Sequence, residues 1–191
     1  KVASIGTLGV KTRKYKKNLS NTTIDPIQLS KILNKLKKQN INNVIMEASS
    51  HGLSQNRLDG LLFNTGIFTN LSQDHLDYHK NTKNYLKAKL YLFEKLIKKK
   101  GNIITDEKIP EFKKIKNIAT NKNLNLFSLL DKKNNFQFLS HQYEGESQLL
   151  EIKYKNSIHK IKLNLIGKVQ FKNVLMAVIA TIKSSINIKD I

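Results

Sequence analysis

The sequence has no cysteine, no tryptophan and only two prolines among its 191 residues. Because cysteine is missing, the chain can form neither a disulfide framework nor a cysteine-based metal site, which is typical of a reducing compartment. No apolar run reaches the roughly 18 residues that mark a membrane-spanning helix, and the first residues lack the long apolar core of a signal peptide. We therefore expect a cytoplasmic protein without a membrane partner, folded as one domain.

Acidic residues are also scarce, with 14 against 34 basic residues and a net charge of +20. Such an excess is one mark of nucleic-acid-binding domains. The lysines are scattered, however, and arginine occurs only as Arg13 and Arg57, while asparagine and isoleucine are abundant. An AT-rich coding sequence produces this joint enrichment, so we expect no nucleic-acid partner. A basic nucleic-acid-binding domain stays the alternative from another class, and it predicts steeply salt-dependent binding.

The first half of the chain alternates strand and helix patterns up to about Asn123, which favours an α/β domain with a mostly parallel sheet. Asp25 and Pro26 supply an N-cap and a first turn, and the apolar stripe after them predicts a helix that ends near Gln39. The other elements expected here are a strand over 44–46, a strand ending at 70, a helix over 81–98, a strand over 102–105 and a helix over 109–115.

The second half changes to strand-like patterns over 136–165, where lysines alternate with apolar residues, and this predicts hairpins. A last helix is expected over 171–184. We therefore predict a three-layer α/β domain of mononucleotide-binding type with a mostly parallel sheet, plus a smaller antiparallel sheet from the second half.

Polar residues follow two of the predicted strands. The strand over 44–46 reads as buried and ends in Glu47, with Ser49, Ser50 and His51 close behind, and the run that ends at 70 opens into the polar segment 74–79. In open α/β sheets, ligands bind at the carboxyl ends of strands. We therefore expect these groups at one edge of a sheet, as part of an active site.

Lys89 stands out because the helix predicted over 81–98 places it in the middle of an apolar stripe. The stripe consists of Tyr85, Leu86, Leu92, Phe93 and Leu96. A half-buried lysine loses hydration, which lowers its pKa and leaves it partly neutral and nucleophilic. The alternative is a lysine at the edge of the stripe whose ammonium group extends into water.

The segment from Gly6 to Thr12 has the outline of a phosphate-binding loop. A P-loop needs glycine directly before its lysine, so that the backbone can wrap the phosphates. Val10 precedes Lys11 here. We therefore do not interpret this segment as a P-loop.

At four segments the sequence resembles the Mur ligases, the ATP-dependent amide-forming enzymes of peptidoglycan precursor synthesis. These segments are Asn21–Pro26, Glu47–Leu53 with Gln55 and Arg57, Phe68–His79, and Ala88–Phe93. The resemblance implies a ligase that uses ATP and Mg²⁺ to join meso-diaminopimelate to UDP-MurNAc-L-Ala-D-Glu through an acyl phosphate. A Mur-type ligase that adds lysine, and a folylpolyglutamate synthase, are the nearer alternatives.

The resemblance also implies roles for individual residues. A magnesium site and the catalytic set would consist of Glu47, His75 and Lys89, the lysine as a carbamate. The UDP-MurNAc-dipeptide would be held by Asn21, Thr22, Thr23, Ser49, Gln55 and Arg57. From the residues alone, Glu47 and Arg57 also fit ordinary ion pairs, His75 a loop histidine, and the two threonines turn or capping chemistry.

The same resemblance implies that residues 1–191 are the central, ATP-binding domain of a longer enzyme, which we expect to be a monomer. The phosphate loop would precede residue 1, and the domain that selects the incoming amino acid would follow residue 191. The fragment alone is then expected to be inactive. The segment 165–173 resembles the part of the family near adenine, and no nucleotide contact is assigned to it.

Overall fold

The computed structural model describes residues 1–72, 74–129, 136–165 and 167–188. The chain divides into two compact units, one of Lys1–Leu62 with Ser72–Leu96 and one of Phe63–Leu71 with Ile97–Ile191. The strands are β1 (Val2–Gly6), β2 (Gly9–Thr12), β3 (Lys16–Lys17), β4 (Asn43–Met46), β5 (Phe63–Phe68), β6 (Ile97–Thr105), β7 (Asn125–Ser128), β8 (Phe136–Glu144), β9 (Ser147–Tyr154) and β10 (Ser157–Leu163). The helices are α1 (Pro26–Lys38), α2 (Ser50–Ser54), α3 (Leu76–His79), α4 (Thr82–Tyr91), α5 (Phe112–Asn121) and α6 (Lys168–Lys183).

The first unit contains a four-stranded sheet in the order β3-β2-β1-β4. Strand β1 pairs with β2 as an antiparallel hairpin and with β4 in parallel. Helix α1 begins as predicted, since the Asp25 side chain accepts a hydrogen bond of 2.9 Å from the Gln28 N–H and Pro26 occupies the first turn. Leu29 and Leu36 are buried at 2% exposure each, and the helix ends before Gln39.

The exposure of strand β4 differs from the prediction. Ile45 is 66% exposed, and Val44 and Met46 are half-buried, so the prediction of a buried strand was wrong for the described residues. Its ladder partner is β1, whereas β5 pairs with β6 in another sheet. In the described chain β4 and β5 therefore belong to different sheets, contrary to the expectation of one sheet for both.

Helix α4 begins after Asn81, whose side chain accepts a 2.8 Å hydrogen bond from the Asn84 N–H. A π-helical turn over Leu92–Leu96 continues it. All five residues of the predicted apolar stripe are buried, at 2–9% exposure. The helix ends two residues before the predicted end, because Ile97 already belongs to β6.

The second unit contains a parallel sheet in the order β5-β6-β7. Strand β6 begins five residues before the predicted strand, and its ladder with β5 shifts register across a bulge in which Lys100 has φ 59°. Helix α5 lies later than the helix predicted over 109–115, and β7 was not predicted. Lysine favours helix by propensity, so the tertiary context overrides the local preference over Lys98–Lys100.

The antiparallel sheet predicted for the second half is present, in the order β10-β9-β8. Gly145 (φ 60°) and Lys155 (φ 54°) lie in the two hairpin turns. Helix α6 begins three residues before the predicted start, and Ile166 lies outside the described residues. The core of this unit consists of Ile104, Leu129, Phe136, Leu150, Ile152, Leu175, Met176, Val178 and Ile179. The predicted α/β class, with parallel strands and a separate antiparallel sheet, is confirmed.

Candidate active site

The carboxylate of Glu47 is held at the carboxyl ends of β1 and β4. The parallel register places Ile5 opposite Met46, and the Glu47 N–H donates to the Ile5 carbonyl at 2.9 Å. One carboxylate oxygen, Oε2, accepts two hydrogen bonds from Thr7, from its N–H at 3.0 Å and from its hydroxyl at 2.6 Å. Gly6 makes room for this carboxylate, since a Cβ there would collide with the Glu47 side chain. Thr7 is a residue that the sequence analysis missed.

Two threonines before α1 join the same arrangement. The Thr22 hydroxyl lies 3.0 Å from the Thr7 hydroxyl. Thr23 is buried at 2% exposure, and its hydroxyl donates to the Glu47 carbonyl and accepts from the Ser49 N–H, both at 2.9 Å. The segment predicted to hold a substrate is therefore bonded directly to the backbone around Glu47.

Arg57 extends the network from the far end of α2. Its Nη1 donates to the Thr23 carbonyl at 2.6 Å, and its Nη2 donates to Gln55 Oε1 at 2.5 Å. Gln55 in turn donates to the Tyr78 hydroxyl at 3.0 Å, and the Ser49 hydroxyl caps α2 by accepting from the Gly52 N–H at 3.1 Å. A guanidinium group has five N–H donors. Those that Thr23 and Gln55 leave unused remain for a ligand.

Hydrogen bonds thus connect five of the six residues predicted to bind substrate, and they connect this set to Glu47. The sixth, Asn21, is exposed beside Thr22, and within the described part of the chain it takes no part in the network. All of these residues lie in the first unit.

A cluster of aromatic rings lies beside α2. The His51 ring centroid is 4.2 Å from that of Tyr78, 5.0 Å from that of His75 and 5.5 Å from that of His79. His79 is 5% exposed, stacks on Tyr85 and shares a 2.9 Å hydrogen bond with the Ser50 hydroxyl. Burial lowers the pKa of His79 below its ordinary value of 6.5, and the nearby His51 and His75 lower it further. The neutral imidazole is therefore favoured.

Tyr78 connects this cluster to the substrate set. Hydrogen bonds with Ser54 and Gln55 lower the pKa of its hydroxyl group. A cleft of about 510 Å³ opens beside it, with Ser54, Asn56 and Lys87 in its lining. Hydroxyl, amide and ammonium groups of this kind suit an anionic ligand that carries hydroxyl groups.

His75, one of the predicted metal ligands, has a left-handed backbone with φ 56°. The Asp74 carboxylate stabilises this turn by accepting a 2.8 Å hydrogen bond from the His75 N–H. The other Asp74 oxygen lies 3.5 Å from Nε2 of the ring.

Lys89 is half-buried on α4, and its Nζ lies 5.4 Å from the centroid of the Tyr85 ring. It belongs to the same unit as Glu47 and His75. The lowered pKa of Lys89 stays a prediction.

One carboxylate oxygen of Glu47 remains able to bind a cation. Both hydrogen bonds to the Glu47 carboxylate use Oε2, so Oε1 accepts none from the described residues and can bind a hard cation. No three histidine, cysteine, aspartate or glutamate side chains within those ranges are arranged to hold a metal. The roles of His75 and of a carbamate on Lys89 at such a site stay predictions.

No helix in the described ranges is long and apolar enough to span a membrane. Residues 1–181 match the family model of the Mur ligase middle domain. The UDP-N-acetylmuramoyl-L-alanyl-D-glutamate–2,6-diaminopimelate ligase of Zymomonas mobilis is 37% identical over 93% of this chain. The ligase of the same name from Wigglesworthia glossinidia brevipalpis is 36% identical over the whole chain.

A solved structure of a ligase with that name superposes on 98% of this chain with a TM-score of 0.83 and 25% identity. The chain spans 36% and 39% of the lengths of the two curated relatives, and 38% of the solved chain. Each match covers nearly all of this chain, and the family model covers the β1–β4 edge, the α2 segment and the Lys89 helix together. The chain therefore belongs to the Mur ligase middle-domain family.

Proposed function

We propose that this chain is the middle, ATP-binding domain of a longer ligase that adds meso-diaminopimelate to UDP-MurNAc-L-Ala-D-Glu in peptidoglycan precursor synthesis. The names of the relatives support the reaction, and the share of their length that the chain matches supports the role of a middle domain. The working enzyme is proposed to be a cytoplasmic monomer. Diaminopimelate is preferred to lysine because the relatives named above carry it in their names.

One observation carries the proposal for the site. A continuous set of hydrogen bonds runs from Arg57 through Thr23 to the backbone of Glu47 and Ser49, so the proposed substrate groups and the proposed metal carboxylate form one structure. Arg57 retains N–H donors for a carboxylate or a phosphate, and the substrate has both.

The residues divide the chemistry between them. The Arg57 side of the network orients the dipeptide, so that its free carboxylate can attack the γ-phosphorus of ATP and form an acyl phosphate, with ADP as the leaving group. The amine of diaminopimelate then attacks the acyl carbon, and inorganic phosphate leaves. Mg²⁺ would be held by Glu47, His75 and the Lys89 carbamate, and it would neutralise charge on the transferring phosphoryl group.

Arg57 gives the test. In the full-length enzyme, Arg57→Ala should raise the KM for the UDP-linked substrate by about 10-fold or more, and the KM for ATP by far less, because the guanidinium group binds only the first of these. Arg57→Lys keeps the charge but loses the planar fork, so it should restore only part of the affinity. Steady-state kinetics with each substrate varied in turn measures both. Equal increases in the two KM values would contradict the role proposed for Arg57.

A further inference from the structure

The hydroxyl of Thr7 lies between a proposed substrate residue and a proposed metal ligand. It is 2.6 Å from Oε2 of Glu47 and 3.0 Å from the hydroxyl of Thr22. Thr7 comes directly after β1 and is exposed, so its side chain adds nothing to a buried core. Its two contacts therefore call for an explanation other than packing.

The hydrogens in this chain of contacts can be assigned. An ionised carboxylate only accepts hydrogen bonds, and a threonine hydroxyl has one hydrogen to donate. Because Thr7 gives its hydrogen to Glu47, Thr22 must donate in the contact between the two hydroxyls. The oxygen of Thr22 is then left as an acceptor that a donor on the substrate can use.

The same bonds orient Glu47. Two donors from Thr7 fix Oε2, which leaves Oε1 as the oxygen able to bind a cation. An outer residue that fixes a metal ligand in this way commonly contributes 10- to 100-fold to metal affinity. The backbone N–H of Thr7 would survive any substitution at this position except proline, so side-chain variants test the hydroxyl alone.

We propose that Thr7 is a positioning residue that couples substrate binding at Thr22 to cation binding at Glu47. This inference rests on the proposed function, because it takes Glu47 as a cation ligand and Thr22 as a substrate contact. A substrate that orders Thr22 would strengthen the bond from Thr22 to Thr7, and this would hold the Glu47 carboxylate in its cation-binding orientation. By thermodynamic linkage, a bound cation must then raise the affinity for the substrate by the same factor.

The experiment compares four versions of the full-length enzyme. They are wild type, Thr7→Val, Thr7→Ser and the control Thr12→Val. Valine keeps the branched shape of threonine and removes the hydroxyl, whereas serine keeps the hydroxyl. Thr12 lies in the same hairpin, and its hydroxyl contacts Tyr15 and Lys14, away from Glu47.

Two binding constants are measured for each version without turnover. Mn²⁺, as a paramagnetic substitute for Mg²⁺, is titrated by electron paramagnetic resonance. UDP-MurNAc-L-Ala-D-Glu is titrated by calorimetry, with and without saturating Mn²⁺. We expect Thr7→Val to weaken Mn²⁺ binding by about 10-fold and to abolish the effect of Mn²⁺ on substrate affinity. Thr7→Ser and Thr12→Val should keep both properties within about twofold, with melting temperatures close to that of wild type.

Unchanged Mn²⁺ binding in Thr7→Val would overturn the proposal, and so would a loss in Thr7→Ser as large as that in Thr7→Val. Weaker Mn²⁺ binding together with an intact effect of Mn²⁺ on substrate affinity would contradict the coupling. Failure of the proposed function looks different, since wild type itself would then fail to bind UDP-MurNAc-L-Ala-D-Glu.

Discussion

The two units of the chain use their buried and polar groups in different ways. In the first unit, hydrogen bonds between side chains and backbone join Thr7, Thr22, Thr23, Glu47 and Arg57 at the ends of strands and helices. In the second unit, an apolar cluster packs between strands and α6, and the polar side chains of Thr105, Asp106 and Gln148 are also buried. We infer that substitutions in the hydrogen-bonded network of the first unit act mainly on ligand binding and turnover, and that substitutions in the apolar core of the second act mainly on folding.

The largest effect, a loss of turnover, is expected for substitutions of Lys89 in the first unit. In the full-length enzyme, Lys89→Ala should lower turnover by about 100-fold or more, because it removes a group proposed to stabilise charge in the transition state. Lys89→Arg should be equally inactive, since a guanidinium group stays charged and cannot take up carbon dioxide. Steady-state rates measure both, with thermal melts to show that the variants stay folded.

Added short-chain carboxylates should partly restore activity to Lys89→Ala, because they can place oxygens where the carbamate stood. If Lys89 only extends along the surface of α4, Lys89→Arg should be almost fully active. An active arginine variant would therefore end the carbamate interpretation and weaken the comparison between the two units.

Leu150 tests the role of the apolar core of the second unit in folding. It is fully buried on β9, and Leu150→Ala should lower the free energy of unfolding by about 2–5 kcal/mol, through lost burial and the cavity left behind. Ile158 on the neighbouring β10 is 62% exposed, so Ile158→Ala should change stability by less than about 0.5 kcal/mol. Denaturant titrations give both values. If Leu150→Ala lost activity per folded molecule without losing stability, the division between the units would be wrong.

The smallest effect, a change in the pH dependence of stability, is expected for a substitution of His79. This buried residue lies before α4 and shares a hydrogen bond with Ser50 of α2. Because folding lowers the pKa of His79, its contribution to stability is complete above the ordinary value of 6.5 and is lost as the pH falls through the folded pKa. Wild type should therefore become less stable between about pH 7 and pH 5.

His79→Gln should show a weaker dependence on pH in that range, because glutamine does not titrate and can still bond to Ser50. The groups that act on His79 are His51 and His75, which disfavour its charged form, and Asp77, which favours it. Unfolding midpoints at several pH values provide the measurement. If the variant showed the same pH dependence as wild type, the loss of stability at low pH would have to come from other groups.

Features that depend on neighbours in the sequence could be predicted. Helix α1 has its start encoded in Asp25 and Pro26, and the buried stripe around Lys89 follows from helical periodicity. The start of β6 could not be predicted, because Lys98–Lys100 have no strand pattern and lie in the irregular part of its pairing with β5. The same limit applies to the exposure of Ile45, which depends on what packs against its face of the sheet.

The site shows the same limit. The resemblance to a family assigned Glu47 to a magnesium site and Thr22 and Arg57 to the substrate, and the structure connects them through Thr7 and Thr23. Thr7 could not be found in that way, because it lies 40 residues from Glu47 and meets it only through the parallel register of β1 and β4. The only sequence signal for Thr7 was its position as a polar residue directly after a strand. The segment was considered only as a phosphate loop, and once that was rejected Thr7 was given no other role.

One measurement tests the proposed reaction most directly. The full-length enzyme is incubated with ATP, Mg²⁺ and UDP-MurNAc-L-Ala-D-Glu, and either meso-diaminopimelate or L-lysine is added. Mass spectrometry of the UDP-linked product and a coupled assay for ADP follow the reaction. We predict a product heavier by one diaminopimelate residue, with one ADP released for each molecule formed, and much slower reaction with lysine. No product with either amine, from a folded enzyme that binds ATP, would contradict the proposed function.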